Sequence, residues 1–203
     1  VRKIKSTVKV LTVACSLLLL SSSLAFADTG TSHIKKGSIS GGASSLTYWL
    51  DASVASYGFT GSIDNGAAKW DESSSGIGFT KITSSTNASI KIFIGNHDLP
   101  ANTYGEASYW NLSGQQVGAG AVTDGSSFQQ ARIILDAGNQ SDAKFESSHR
   151  YKTSGHEIGH VLGLNHFENA PAHSGDHWMK SGKIALTSPT STDLAHVRTK
   201  WGW

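Results

Sequence analysis

His156-Glu157-Ile158-Gly159-His160-Val161-Leu162-Gly163-Leu164-Asn165-His166 decides how this 203-residue chain is read. His156 and His160 are four apart, so on a helix they share one face, one turn apart, and two imidazoles can converge on one ion. Glu157 stands beside the first of them and can reach a water at that ion without ligating it. Gly163 ends the helix, because glycine enters the left-handed region at little steric cost. The chain can then turn and bring His166 back as a third ligand. With nine histidines in the chain, chance would produce an HExxH in about one such sequence in a hundred, and the full pattern in about one in ten thousand. The spacing therefore predicts Zn²⁺ held by His156, His160 and His166, with Glu157 as the catalytic acid/base.

The first 27 residues have the layout of a secretory signal. Arg2, Lys3, Lys5 and Lys9 form a positive start, an apolar run covers 10–20, and Ala25-Phe26-Ala27 gives a small-x-small cleavage site. The run is too short to span a membrane. This segment holds four of the 17 Lys+Arg and none of the 15 Asp+Glu, leaving 13 basic and 15 acidic groups, a formal net of −2. The basicity thus belongs to the signal and argues for neither nucleic acid nor an anionic membrane as partner. The single cysteine, Cys15, leaves with it, so the exported part has no disulfide and no thiolate chemistry. The expected protein is secreted, extracellular, monomeric and without a membrane anchor.

Residues 28–45 are rich in Gly, Ser and Thr and read as a flexible lead-in or short pro-segment. From Leu46 the texture changes. Residues 46–50 have strand composition, Ile63, Ala67 and Trp70 space as an amphipathic helix, and 77–82 and 89–94 read as strands. Ile90, Ile92 and Ile94 alternate with Lys91 and Phe93, as on a strand buried mainly on one face. Two extended candidates follow, 104–110 and 118–123, then a strand at 131–136. A helix capped by Ser147 or Ser148 should run to about Leu162. A last helix should open at Ser191-Thr192-Asp193 with Leu194, Val197 and Trp201 on its apolar face. The order of elements is that of one α+β domain over 46–203.

The HExxHxxGxxH pattern resembles that of the metzincin zinc endopeptidases, and the layout is most similar to the matrixin-like branch. Met179, the only methionine, falls 13 residues after His166 in His177-Trp178-Met179-Lys180, where that clan carries a methionine turn beneath the metal. The closing segment, from Pro189 to Lys200-Trp201-Gly202, resembles the last helix of secreted Gram-positive members. The resemblance implies a zincin/metzincin-like fold with a twisted mixed sheet of about five strands, a first helix, an active-site helix and a C-terminal helix. It implies peptide-bond hydrolysis by a zinc-bound water with Glu157 as general base, on a protein or peptide substrate paired with an upper edge strand. The first candidate for that strand is 104–110 and the second 118–123. Phe167 matches no branch, no tyrosine follows Met179, and Lys180-Ser181-Gly182 replaces the usual Pro-x-Tyr wall. Without cysteine a cysteine switch is excluded, which leaves Asp28 as a candidate carboxylate blocker.

His173 and His177 flank Asp176 and read as a polar loop, with cleft lining or a second metal as the sharper alternatives. His33, His97, His149 and His196 have no paired spacing and read as surface or capping residues. Tyr104, Tyr109 and Trp110 suit sheet packing more than a substrate shelf. Asp98, Asp124, Asp136 and Asp142 lie near loops where matrixins bind Ca²⁺, an option that no dense oxygen pattern supports. Two rival functions stay open: a zinc hydrolase of cell-wall peptide or amide links, and a non-catalytic binding protein stabilised by zinc. A gluzincin, with glutamate as third ligand, is opposed by Gly163 and His166.

Overall fold

The computed structural model describes residues 30–203, so the expected signal and Asp28 lie outside the described residues. Its centre is a six-stranded mixed sheet: β1 (Leu46–Leu50), β2 (Phe79–Lys81), β3 (Ile90–Gly95), β4 (Gly105–Trp110), β5 (Gln116–Val117) and β6 (Gln130–Asp136), in the order β2-β1-β3-β6-β4-β5. β1, β2, β3 and β6 run parallel, whereas β4 is antiparallel to β6 and β5 to β4. The sixth strand beyond the expected five is β5, whose two residues are too few to show a period.

The alternation read in β3 sorts its faces. Ile90, Ile92 and Ile94 are buried, as are Ala131, Ile133 and Leu135 of β6. On the other face Trp49 meets Phe93 edge-on at 5.9 Å, and the Arg132 guanidinium lies 3.7 Å from the Trp110 ring centre. Two long helices, α2 (Thr60–Glu72) and α5 (Ser147–Val161), pack against each other. They approach so closely that a Cβ on Gly66 would lie 3.0 Å from the Gly155 nitrogen. Short helices α1 (Ala52–Ser56), α3 (Ala119–Asp124) and α4 (Ala137–Asp142) decorate the sheet, and α6 (Ser191–Trp201) closes the chain. The α6 start is capped reciprocally by Thr190 and Asp193. The α5 start uses Glu146 and His149 in place of the expected serines.

Two expectations fail. Residues 118–123 were expected to be extended but form α3. The buried Val122 anchors this helix. Its last carbonyls are taken by Lys36 N–H at 3.1 Å, Gly37 N–H at 2.8 Å and Ser126 N–H at 2.9 Å, partners invisible to local sequence. The other failure is the flexibility expected of the lead-in or short pro-segment, since its described residues 30–45 form a packed strap. His33, Lys35, Ile39 and Ala43 are buried. The strap's backbone bridges Phe128 at Ile39 and Leu164 at Ile34. Polar composition here hides a backbone whose hydrogen bonds are made to distant loops.

Candidate metal centre

α5 presents His156 and His160 one turn apart, and its end is built to return the third histidine. Gly163 adopts φ 93°. Its N–H donates to the His160 carbonyl (3.2 Å) and the Leu164 N–H to the Gly159 carbonyl (3.0 Å), the paired bonds of a Schellman end. The strap then fixes the exit: Lys35 N–H donates to Gly163 O and Asn165 N–H to His33 O, both at 2.8 Å.

The three rings converge through one atom type. The Nε2 atoms are separated by 3.2 Å (His156 to His166), 3.1 Å (His160 to His156) and 3.0 Å (His160 to His166). His156 Nδ1 lies 2.7 Å from the Trp178 carbonyl and His160 Nδ1 2.9 Å from the Leu164 carbonyl. A carbonyl only accepts, so His156 Nδ1 carries the proton and its Nε2 lone pair faces inward; at His160 the Leu164 carbonyl, nearer than Lys35 Nζ at 3.2 Å, favours the same tautomer. Nitrogens at 2.0–2.1 Å from a tetrahedral zinc stand about 3.3 Å apart. The observed spacing is close to that, so the donor set fits such an ion. Among the described residues these are the only three or more His, Cys, Asp or Glu side chains grouped to hold a metal. Burial pushes His156 and His160 well below the ordinary imidazole range, and Lys152 and Lys35 add to the fall. His166, more exposed, is lowered chiefly by burial while Glu168 pulls it up.

The support beneath the rings comes from two glycines of α5. A Cβ on Gly155 would sit 2.1 Å from the Trp178 ring, and one on Gly159 would sit 2.3 Å from Met179 Sδ. The Gly of HExGH is therefore the slot that admits Met179 between the two ligands' turns. Asp193 of α6 holds the backbone here, accepting from Trp178 N–H at 3.0 Å and Met179 N–H at 3.1 Å. Phe167 N–H donates to the Met179 carbonyl (2.9 Å), tying the residue after the third histidine to the same stretch.

Glu157 points to the sheet side. A Cβ on Gly105 would lie 2.8 Å from its Oε1, so only glycine lets β4 pass so near the carboxylate. Burial pushes Glu157 up to about 8, with Lys152 and Lys35 pulling against it. Beside it opens a cleft of about 440 Å³, lined by Lys35, Tyr104, Glu106, Lys152, Asn169 and Gly182 around the histidines. β5 covers β4 only at Tyr109 and Trp110. The first candidate segment thus offers strand edge to the cleft from Gly105 onward, and the second, as α3, does not.

Several partners were not legible. Glu168 Oε1 lies 3.6 Å from His166 Nδ1 and accepts from Ser181 N–H at 3.3 Å. It could have been suspected from its place two residues after a ligand. His33 sets Nδ1 3.1 Å from the His166 carbonyl and Nε2 2.8 Å from that of Pro171. His33 and His196, expected as surface or capping residues, are fully buried. His149 does cap, and His97 pairs with Asp142 at 3.0 Å on the surface. His177 is buried, its Nδ1 2.8 Å from Thr190 Oγ1. Tyr109 packs on Phe128 at 4.7 Å, and Tyr104 on Phe145 at 4.5 Å. Asp136 accepts from the backbone N–H of His97, Leu99 and Asn139, so its carboxylate serves a cap and a loop.

Neither the models of known protein families nor the curated proteins contain a match to this chain.

Proposed function

We propose that this protein is a zinc-dependent hydrolase, and more particularly a secreted endopeptidase of metzincin type. The observation that carries the reading is the convergence of three Nε2 atoms beside a carboxylate that faces an open cleft and an uncovered strand edge. His156, His160 and His166 would hold Zn²⁺, which when bound polarises a carbonyl and acidifies water. Three protein ligands favour catalysis over a purely structural zinc, which four protein ligands usually close. Structural support by Met179 and Trp178, packed into the α5 glycine slots, is part of the same proposal.

Glu157 supplies the proton traffic. A general base works best with a pKa near the working pH, and burial places this carboxyl near neutrality. It takes a proton from the attacking water and delivers it to the departing amine nitrogen. β4 orients the substrate: an extended peptide laid against its free edge gains backbone hydrogen bonds independent of side chain. Export through the segment 1–27 belongs to the same proposal.

Replacing Glu157 with Ala tests it. Zinc stoichiometry should persist while cleavage of a peptide library falls by about 10²–10⁴-fold. Retained full cleavage, or a fourth protein ligand on the metal, would overturn the reading.

A further inference from the structure

Two lysines line the cleft, and neither has a carboxylate within ion-pair distance, although both feel the charge of Glu157. Lys152 lies on α5 one turn before His156, and Lys35 comes from the strap. They are 2% and 4% exposed. Lys152 Nζ donates to the Lys180 carbonyl. Lys35 Nζ donates to the Leu164 carbonyl and lies 3.2 Å from His160 Nδ1. Neither takes part in any of the four ion pairs found among the described residues.

Buried cations are normally paired, because removing a charge from water is costly unless an opposite charge replaces the solvent. The nearby carboxylates are otherwise engaged. Asp193 is spent on the Trp178 and Met179 backbone and Thr190. Glu168 is spent on Ser181 and His166. Glu106 is exposed on β4, and Glu157 is assigned to the water. Burial accordingly pushes Lys152 down to about 8 and Lys35 to about 7. Lys180 O satisfies only one of the three Lys152 donors. The cleft wall thus holds an ammonium with donors to spare beside the reacting atoms.

We propose that Lys152 determines specificity, its Nζ receiving the side-chain carboxylate of an Asp or Glu next to the scissile bond of the peptide substrate. This rests on the hydrolase reading above. Such a carboxylate would supply a counter-charge at ion-pair distance, which the fold does not, and its neutral amide would not. A purely structural Lys152, tying down Lys180, would instead affect all ligands alike.

The test uses the zinc-loaded protein and two short peptide hydroxamates, identical except for Glu or Gln at the residue beside the chelating group. Binding is measured by calorimetry on wild type, Lys152→Met and Lys152→Arg. The wild type should bind the Glu form at least about tenfold more tightly, since one desolvated charge pair is worth that much or more. Lys152→Met should bring the ratio near one while the Gln form keeps its affinity within about threefold, and Lys152→Arg should retain the preference. A wild-type ratio near one overturns the proposal without reference to any variant. So does an unchanged ratio in Lys152→Met, or failure of both ligands to bind. Digestion of Glu- and Gln-bearing peptides is run in parallel. A Lys152-dependent preference in binding with no cleavage would sink the endopeptidase reading and leave the carboxylate site standing. Cleavage without preference would do the reverse.

Discussion

Two histidine clusters meet at the His166–Phe167 backbone, and only one is positioned to hold a cation. In the first, backbone carbonyls hold Nδ1 of His156 and His160 so that their Nε2 atoms meet that of His166, the three lying 3.0–3.2 Å apart. In the second, His33, His173, His177 and His196 surround Phe167 with ring centres 4.7–5.7 Å from its own. There the ring nitrogens point away to separate backbone or hydroxyl groups: Pro171 O for His33, Ser174 O for His177 and Thr192 O for His196. The first cluster aims imidazole nitrogens as a ligand set would, and the second uses imidazole as a polar aromatic that packs. Residue type is shared. The direction of the lone pairs, set by which carbonyl each ring faces, separates them.

Breaking the first cluster should give the largest effect. Apparent zinc-binding energies of about 10–16 kcal/mol spread over four ligands make one ligand worth about 3 kcal/mol. His160→Ala should therefore weaken zinc binding by about 10²-fold or more in a chelator competition. His173→Ala, in the second cluster, should leave zinc affinity within about threefold and lower stability by about 1–2 kcal/mol in urea unfolding. If both variants lost zinc equally, the distinction between the clusters would be wrong.

His33 belongs to the second cluster by packing but touches the first through the His166 carbonyl. His33→Phe keeps a ring against Phe167 and removes the nitrogen facing that carbonyl. Groups that orient a ligand are worth about 10–100-fold in metal affinity, and a loss near tenfold is expected. An unchanged affinity would make the strap a mere cover for the core.

The same contrast explains what the sequence could and could not reveal. His156, His160, Gly163 and His166 act through fixed local spacing, so α5, its glycine end and the ligand set are readable without coordinates. β3 and the α6 cap are readable for the same reason, since a period of two and a Thr-to-Asp box are local patterns. The strap is not local. Its serines and glycines carry no apolar period, and its order comes from pairing with residues 122–128 and 163–165. Nothing local marks Lys35 or Lys152 as buried, since a lysine on a helix face or in a polar run is usually solvated. Gly155 and Gly159 look like helix weaknesses until Trp178 and Met179 are seen to fill the space they leave.

The smallest expected effect is a near-absence of pH dependence, and it sharpens the comparison from the ligand side. Protons compete with zinc for the inward Nε2 atoms, so affinity falls as pH drops through the histidine pKa values. Three ordinary imidazoles with pKa 6.5 would lose about 30-fold between pH 7 and 6. In this fold burial lowers all three, His156 and His160 well below that value. With depressed pKa values fewer protons compete with zinc over this interval than at ordinary imidazoles, and the loss moves to more acid solution. Zinc affinity measured by competition should therefore fall by less than about threefold over this interval, with release at lower pH. A loss near 30-fold would mean that the rings titrate as though solvated, and the dry, carbonyl-oriented cluster would lose its distinction from the packed one.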